Sequence, residues 1–190
     1  MPKAPLYALL LIGGHSRRMG SDKSLLDYHG KPQWMHNLEL LEALTDKVFI
    51  SVRKNQKVDY PNLIEDLYDD LGPFGAIMTA MQTYPDTAFL VFATDIPFLS
   101  KEHLKILVNE RDSHYRATAY QGLSKDYPEP LACIWEPEMF TEFKKYYEKG
   151  VFKTIQILKN NSIKTLPIDE KAIQNINTYD EYLNCKKDRR

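Results

Sequence analysis

Residues 6–12, LYALLLI, form an uninterrupted apolar run that stops at the pair Gly13-Gly14. The run is too short for a buried helix and lacks polar alternation, so it reads as a strand buried on both faces. That feature does the most to limit the fold. A strand with two buried faces needs a layer of helices on each side, which is the arrangement of a mostly parallel sheet. The stretch that follows, HSRRMGSDK, is polar and carries Arg17, Arg18 and Lys23. Twin glycines let another group approach backbone N–H atoms closely, and amides gathered with three cations suit a phosphate. The spacing is not a Walker A, because Gly20 is followed by Ser21, and it is not G-x-G-x-x-G. A solvated surface turn would have the same composition. What favours a ligand is position: open α/β sheets bind ligands just beyond the carboxyl ends of their strands.

The remaining pattern alternates strands with helices. Gly30-Lys31-Pro32 opens a helix whose apolar stripe is Trp34, Leu38 and Leu41, with Met35 and Leu44 beside it. Val48–Val52 is a second strand, and Leu63-Ile64 a very short third. Phe74, Ile77, Met78 and Met81 mark one face of a helix fed by Gly72-Pro73 and ended by Pro85. Thr87–Thr94 is a strongly apolar strand, and Ser100 caps the next helix, with Leu104, Leu107 and Val108 facing inward. Ala117–Gln121 and Leu131–Trp135 read as strands separated by an irregular loop, Asp126–Pro130. Helices follow after Pro137, with Gly150 as the residue past its end, and over Lys153–Leu158. Lys164–Ile168 is a late strand, Thr178-Tyr179-Asp180-Glu181 is a capping box for a last helix, and 186–190 is a basic tail expected to fray. The expected architecture is a Rossmann-like three-layer α/β sandwich with a mostly parallel central sheet, as one domain over residues 1–190.

Composition removes several classes of function. A formal net charge of -1 provides no basic field for nucleic acid. No run approaches the length of a membrane-spanning helix, and the short apolar start ending in His-Ser-Arg-Arg does not read as a signal peptide. Cys133 and Cys185 lie far apart without C-x-x-C spacing, which argues against zinc or a disulfide framework and fits a reducing cytoplasm. The five histidines have no metal-ligand spacing, and Ser16 lacks a nucleophile elbow. Asp95 follows the most apolar strand without a spacer. A carboxylate there would stand beside the first loop if the two strands are neighbours, and it could hold Mg²⁺, which needs only one or two carboxylates. An N-cap or turn aspartate before Pro97 would look the same. Asp69 and Asp70, just ahead of Gly72-Pro73, read as a solvated acidic face or as ligand contacts.

LIGGHSRRMGSDK resembles the L-A-G-G-x-S-x-R-M-G-x-D-K signature of the molybdenum cofactor guanylyltransferases, a branch of the nucleotidyltransferase superfamily. DDLGPFGAI, ATDIPF, EPLACIW and NINTYDE are similar to further elements of that family, in the family's order and across essentially the whole chain. The resemblance implies transfer of a nucleoside monophosphate, GMP first of all, from a triphosphate to the phosphate of molybdopterin cofactor, with Mg²⁺ and release of pyrophosphate. It also implies transient contact with other proteins of molybdenum cofactor synthesis or insertion. By motif position, Leu11, Ile12, Gly13 and Gly14 would lie against the nucleotide. Lys23 and Arg18 would act on its phosphates, Asp69 would contact the nucleotide, and Asp95 would bind Mg²⁺, with Asn177 a weaker candidate. Ile12 stands where the family has alanine. Arg53 is expected to stand where the guanylyltransferases hold guanine with asparagine. A cytidylyltransferase using CTP, a sugar-phosphate nucleotidyltransferase, and a nucleotide-binding protein without turnover are the alternatives.

Overall fold

The structure, a computed structural model, describes residues 3–12 and 23–187. Gly13, Gly14, Arg17 and Arg18 lie outside the described residues. Lys23 begins a short 3-10 turn, Lys23–Leu25, and its side chain is likewise outside what is described.

The described residues form a seven-stranded sheet from β1 (Leu6–Leu11), β2 (Val48–Val52), β3 (Leu63–Glu65), β4 (Ala88–Ala93), β5 (Ala117–Gly122), β6 (Pro128–Trp135) and β7 (Lys164–Ile168). The order is β3-β2-β1-β4-β6-β5-β7. The pairs β3–β2, β2–β1, β1–β4 and β5–β7 are parallel, and β6 runs antiparallel to both β4 and β5. The expected sandwich with a mostly parallel sheet is therefore present.

Residue alternation sorts the strands' side chains into two cores. Leu9, Leu11, Phe49, Phe89, Val91 and Ala93 face one layer, with α2 (Pro73–Thr83), α4 (Met139–Glu148) and α5 (Thr154–Lys159). Ala8, Leu10, Val48, Ile50, Leu90 and Phe92 face the other, with α1 (Gln33–Glu42) and α3 (Lys101–Asn109). This is why the run 6–12 has no polar position: Ala8, Leu9 and Leu10 are all fully buried.

Local signals act as the sequence led us to expect at several ends. Ser100 Oγ accepts from the His103 N–H while His103 Nδ1 accepts from the Ser100 N–H, a capping box built with histidine. Gly150, at φ 68°, closes α4: its N–H bonds Tyr147 O, and Val151 N–H bonds Tyr146 O, both 3.0 Å, the Schellman pattern. Thr178 and Glu181 cap α6 (Tyr179–Lys187) reciprocally, and Lys186 and Lys187 lie within that helix.

Three expectations need correction. The loop placed at Asp126–Pro130 is shorter, because Pro128, Glu129 and Pro130 belong to β6. The β5–β6 register shifts between Ala119 and Gln121, and that irregularity accommodates residues that cannot donate to a regular ladder. In α1 the buried positions are Gln33, Asn37 and Leu41, whereas Trp34 and Leu38 are only half-buried. The polar pair is tolerated because Gln33 Nε2 donates to Asn37 Oδ1 (2.9 Å) and Asn37 Nδ2 to Ala93 O (3.3 Å), at the end of β4. Finally, α2 is buried around its whole circumference from Phe74 to Met81, not along one stripe. Gly75 permits this: a Cβ there would come within 2.8 Å of the Tyr68 carbonyl oxygen.

At the amino-terminal end of the sheet, Arg111 and Glu136 form a two-pronged ion pair, Nε–Oε1 2.7 Å and Nη2–Oε2 2.8 Å, with exposures of 6% and 2%. Arg111 Nη1 also donates to Ala4 O, and Lys3 Nζ donates to Arg111 O. The cluster ties the start of β1 to the ends of α3 and β6. Removing one partner strands a buried charge, so Glu136→Ala is expected to lower unfolding free energy by about 3–5 kcal/mol in urea titration. A loss within the range of an exposed pair would show that the Arg111 site collapses or hydrates without strain.

Candidate active site

Parallel pairing of β1 with β4 puts Leu11 opposite Ala93, so the two strands end side by side. Asp95 lies two residues past the end of β4, and the preceding Thr94 N–H bonds Leu11 O at 3.3 Å. The condition under which Asp95 and the first loop share a site is thus met. Asp95 also meets the far end of the chain, since Ile176 N–H bonds Asp95 O at 2.9 Å. That bond brings Asn175 and Asn177 beside the strand end. Asn175 Oδ1 is buried with no hydrogen-bond partner among the described residues.

Two cavities open at this end. The first, about 230 Å³, is lined by Leu11, Ser51, Arg53, Asp66, Tyr68, Asp69 and the Gly72-Pro73 start of α2, among others. Leu11, Arg53 and Asp69 were expected at the nucleotide, and they gather here. Ile12 does not line it; its side chain, 5% exposed, packs in the layer of Val52, Leu99 and Leu104. Gly72 supplies a left-handed turn (φ 57°) that delivers the chain into α2. Asp66 is the group the sequence reading missed. Ser51 Oγ donates to Asp66 Oδ1 at 2.8 Å, joining the end of β2 to the residue after β3. Burial pushes the Asp66 carboxyl up, against the pull of the Ser51 hydroxyl and the Arg53 charge. The signal was available: Asp66 follows a parallel strand at its carboxyl end, as Asp95 does.

The second cavity is larger, about 620 Å³. Its lining includes Lys125, Tyr127, Glu129, Lys171, Asn175 and Asn177. Glu129, 5% exposed, was hidden in the stretch read as a loop. Its carboxyl is pushed up to about 7, first by burial and further by the Asp95 charge, although it accepts from Leu131 N–H at 3.0 Å.

No group of three or more His, Cys, Asp or Glu able to hold a metal occurs among the described residues. The available donors at the strand end are the Asp95 carboxylate and the Asn175 and Asn177 amides, all hard oxygens. That set suits an ion which keeps water and phosphate as most of its ligands, as Mg²⁺ does. No helix of the described residues is long and apolar enough to cross a membrane.

A mostly parallel α/β sheet with two cavities and a carboxylate, Asp95, at the carboxyl ends of its strands has the layout of an α/β ligand-binding site. The comparisons are specific: residues 8–162 match the MobA-like NTP transferase domain, and the chain belongs to that family. It is 32% identical to a molybdenum cofactor biosynthesis bifunctional protein of Synechocystis, covering 95% of this chain but 53% of that protein, so it spans about half that relative's length. It is 30% identical to a probable molybdenum cofactor guanylyltransferase of Flavobacterium johnsoniae, covering 93% of this chain and 94% of that one. Among solved structures, molybdopterin-guanine dinucleotide biosynthesis protein A of Archaeoglobus fulgidus superposes with TM-score 0.75 at 22% identity, covering 95% and 97% of the two chains. The Mycobacterium tuberculosis protein Rv0371c, in complex with manganese, has the same fold (TM-score 0.69, 14% identity, 97% and 99% covered).

The raised Glu129 carboxyl has a consequence for stability. Its ordinary value is 4.5, so between that and about 7 the folded chain holds a proton the unfolded chain has lost. Stability then falls as pH rises through this window, with a slope approaching about 1.4 kcal/mol per pH unit, and stays lower above it. Glu129→Gln is expected to remove that decline in denaturant titrations run in EDTA; an unchanged slope would place the burden on another group.

Proposed function

We propose that the chain transfers GMP from GTP to the phosphate of molybdopterin cofactor, releasing pyrophosphate, in the cytoplasm and with Mg²⁺. The observation that carries this reading is a pair of cavities at the carboxyl ends of the strands, the smaller lined by Leu11 and Ser51 and the larger by Asn175 and Asn177, whose neighbour Ile176 bonds Asp95 O. One suits a flat heterocycle and the other a larger acceptor, as transfer between two bound substrates requires. The names of the relatives support the choice of acceptor.

The smaller cavity favours guanine. Guanine presents two adjacent donors, N1–H and the 2-amino group, and a carboxylate accepts both. Cytosine offers one donor next to a ring acceptor, which a carboxylate repels. Asp66, oriented by Ser51, supplies that carboxylate, and Arg53 at the rim can donate to the O6/N7 edge. In this reading Ser51 and Asp66 determine the base, with Arg53 and Asp69 as flanking contacts. The backbone at Leu11, Ile12, Gly13 and Gly14 lies against the nucleotide. Arg18 and Lys23 hold the triphosphate, Arg by bidentate contact and Lys as a compact charge.

When bound, Mg²⁺ supplies polarisation of the α-phosphate and screening between donor and acceptor. Asp95 would hold it, with Asn177 beside it. The remaining work is positioning. An acceptor phosphate already ionised at neutral pH needs no general base, so the chain must align it behind the α-phosphorus and balance its charge. Lys125 and Lys171 bring positive charge to the larger cavity for that purpose. Transient contact with proteins that make or receive the cofactor belongs to the same proposal.

The test is pyrophosphate release with Mg²⁺ and molybdopterin cofactor, comparing GTP with CTP. GTP is expected to be the better donor, and Asp66→Asn to lower kcat/KM for GTP by about 10- to 100-fold, the cost of a charge-assisted hydrogen bond, while changing CTP use little. Preference for CTP in the wild type would overturn the assignment of the base. Asp95→Ala is expected to abolish turnover with the circular dichroism spectrum intact; near-normal turnover would remove Asp95 from the metal site.

A further inference from the structure

The larger cavity is walled in part by two loops that are distant in sequence, 123–127 between β5 and β6 and the segment after β7 that carries Glu170 and Lys171. Their relative position is set by a local device. β5 and β7 run parallel to the end, with Gly122 opposite Ile168. Two residues later Glu170 turns back across the end of β5, where its Oε1 accepts the Ser124 N–H at 2.5 Å. The Ser124 hydroxyl also bonds this carboxyl, and the two contacts hold it below the usual carboxylate range.

The close approach depends on the absence of a side chain at Gly122. A Cβ there would come within 2.8 Å of Glu170 Cγ and 3.3 Å of the Lys125 stem. The loop itself is stiffened by a turn, Lys125 N–H to Gly122 O at 3.1 Å, and by Gln121 Nε2 donating to Lys125 O at 2.9 Å. Lys125 lies with its ammonium 5.4 Å from the centre of the Tyr127 ring, and both line the cavity. Lys171, next to Glu170, lines it from the other loop. Glu170 and Ser124 line it as well, so the strap forms part of the wall.

We infer that Glu170 is a positioning residue for the acceptor: by strapping the Ser124 backbone across Gly122, it holds Lys125 and Lys171 together on the larger cavity, where they bind the acceptor's phosphate. The inference rests on the proposed reading of that cavity as the acceptor site. Because Glu170 serves one loop and touches none of the residues around the smaller cavity, its loss acts on the acceptor and not on the nucleotide.

The experiment compares wild type, Glu170→Ala, Glu170→Gln and Gly122→Ala in pyrophosphate release, with GTP and molybdopterin cofactor varied separately. Amide hydrogen exchange over 122–127 is measured in parallel. Glu170→Ala is expected to raise KM for the acceptor about tenfold, a size typical of a misplaced binding group, with kcat and KM for GTP close to wild type. Glu170→Gln keeps an oxygen to accept from Ser124 N–H and is expected to recover most of the loss. Gly122→Ala, which displaces Glu170 without removing it, is expected to follow Glu170→Ala, and both to exchange faster over 122–127. An unchanged acceptor KM, an equal rise in KM for GTP, or unaltered exchange in Glu170→Ala would overturn the inference. A wild type that binds GTP but turns over no molybdopterin cofactor would sink the proposed function and this inference together. A wild type that turns over normally alongside an indifferent Glu170→Ala would sink the inference alone.

Discussion

The site depends on the parallel pairing of β1 with β4. Both strands are buried on two faces, so their register is fixed by core packing in both layers at once. That register, Leu11 opposite Ala93, brings the end of the first strand level with the approach to Asp95. Asn37 adds a constraint from the helical layer by bonding Ala93 O, and Ile176 adds one from the far end of the chain by bonding Asp95 O. A carboxylate on a turn is held in place by its strand, by a helix and by a distant loop.

Around that point the chain separates two chemical environments. On the β1–β2–β3 side, a partly desolvated aspartate with a serine partner lines the smaller cavity. On the β6–β5–β7 side, lysines, amides and a buried glutamate line a larger space. The antiparallel insertion of β6 between β4 and β5 makes this second space possible, because it returns the chain to the same end of the sheet and delivers Glu129 at the strand's start. The buried Glu129 and the half-buried Asp66 cost stability when ionised, a cost that sites for cations and for N–H donors commonly carry.

Much was legible in the sequence where the information is local. The apolar runs at 6–12 and 87–94, the Ser100 and Thr178 caps and the Gly150 stop depend on nearest neighbours, and each lies where it was read. The motif order also led to the family that the comparisons show. Residues whose role depends on a distant partner were harder. Asp66 stands three residues before Asp69 in the sequence, and only β2–β3 pairing places Ser51 against it. Glu129 looked like a loop residue because two prolines flank it, and only the shifted β5–β6 register shows how such a segment joins a sheet. Gln33 and Asn37 fell outside the expected stripe, and their burial rests on partners the sequence does not show, each other and a strand carbonyl 56 residues away.

The sequence by itself determined the layers, the class of chemistry and the phosphate-suited stretch after β1, since these follow from hydrophobic period, turn residues and a long motif. Tertiary structure alone decided what each carboxylate faces. Sequence spacing measures distance along the chain, whereas the ionisation of Asp66 and Glu129 and the surroundings of Asp95 are set by groups that only the sheet order brings within reach.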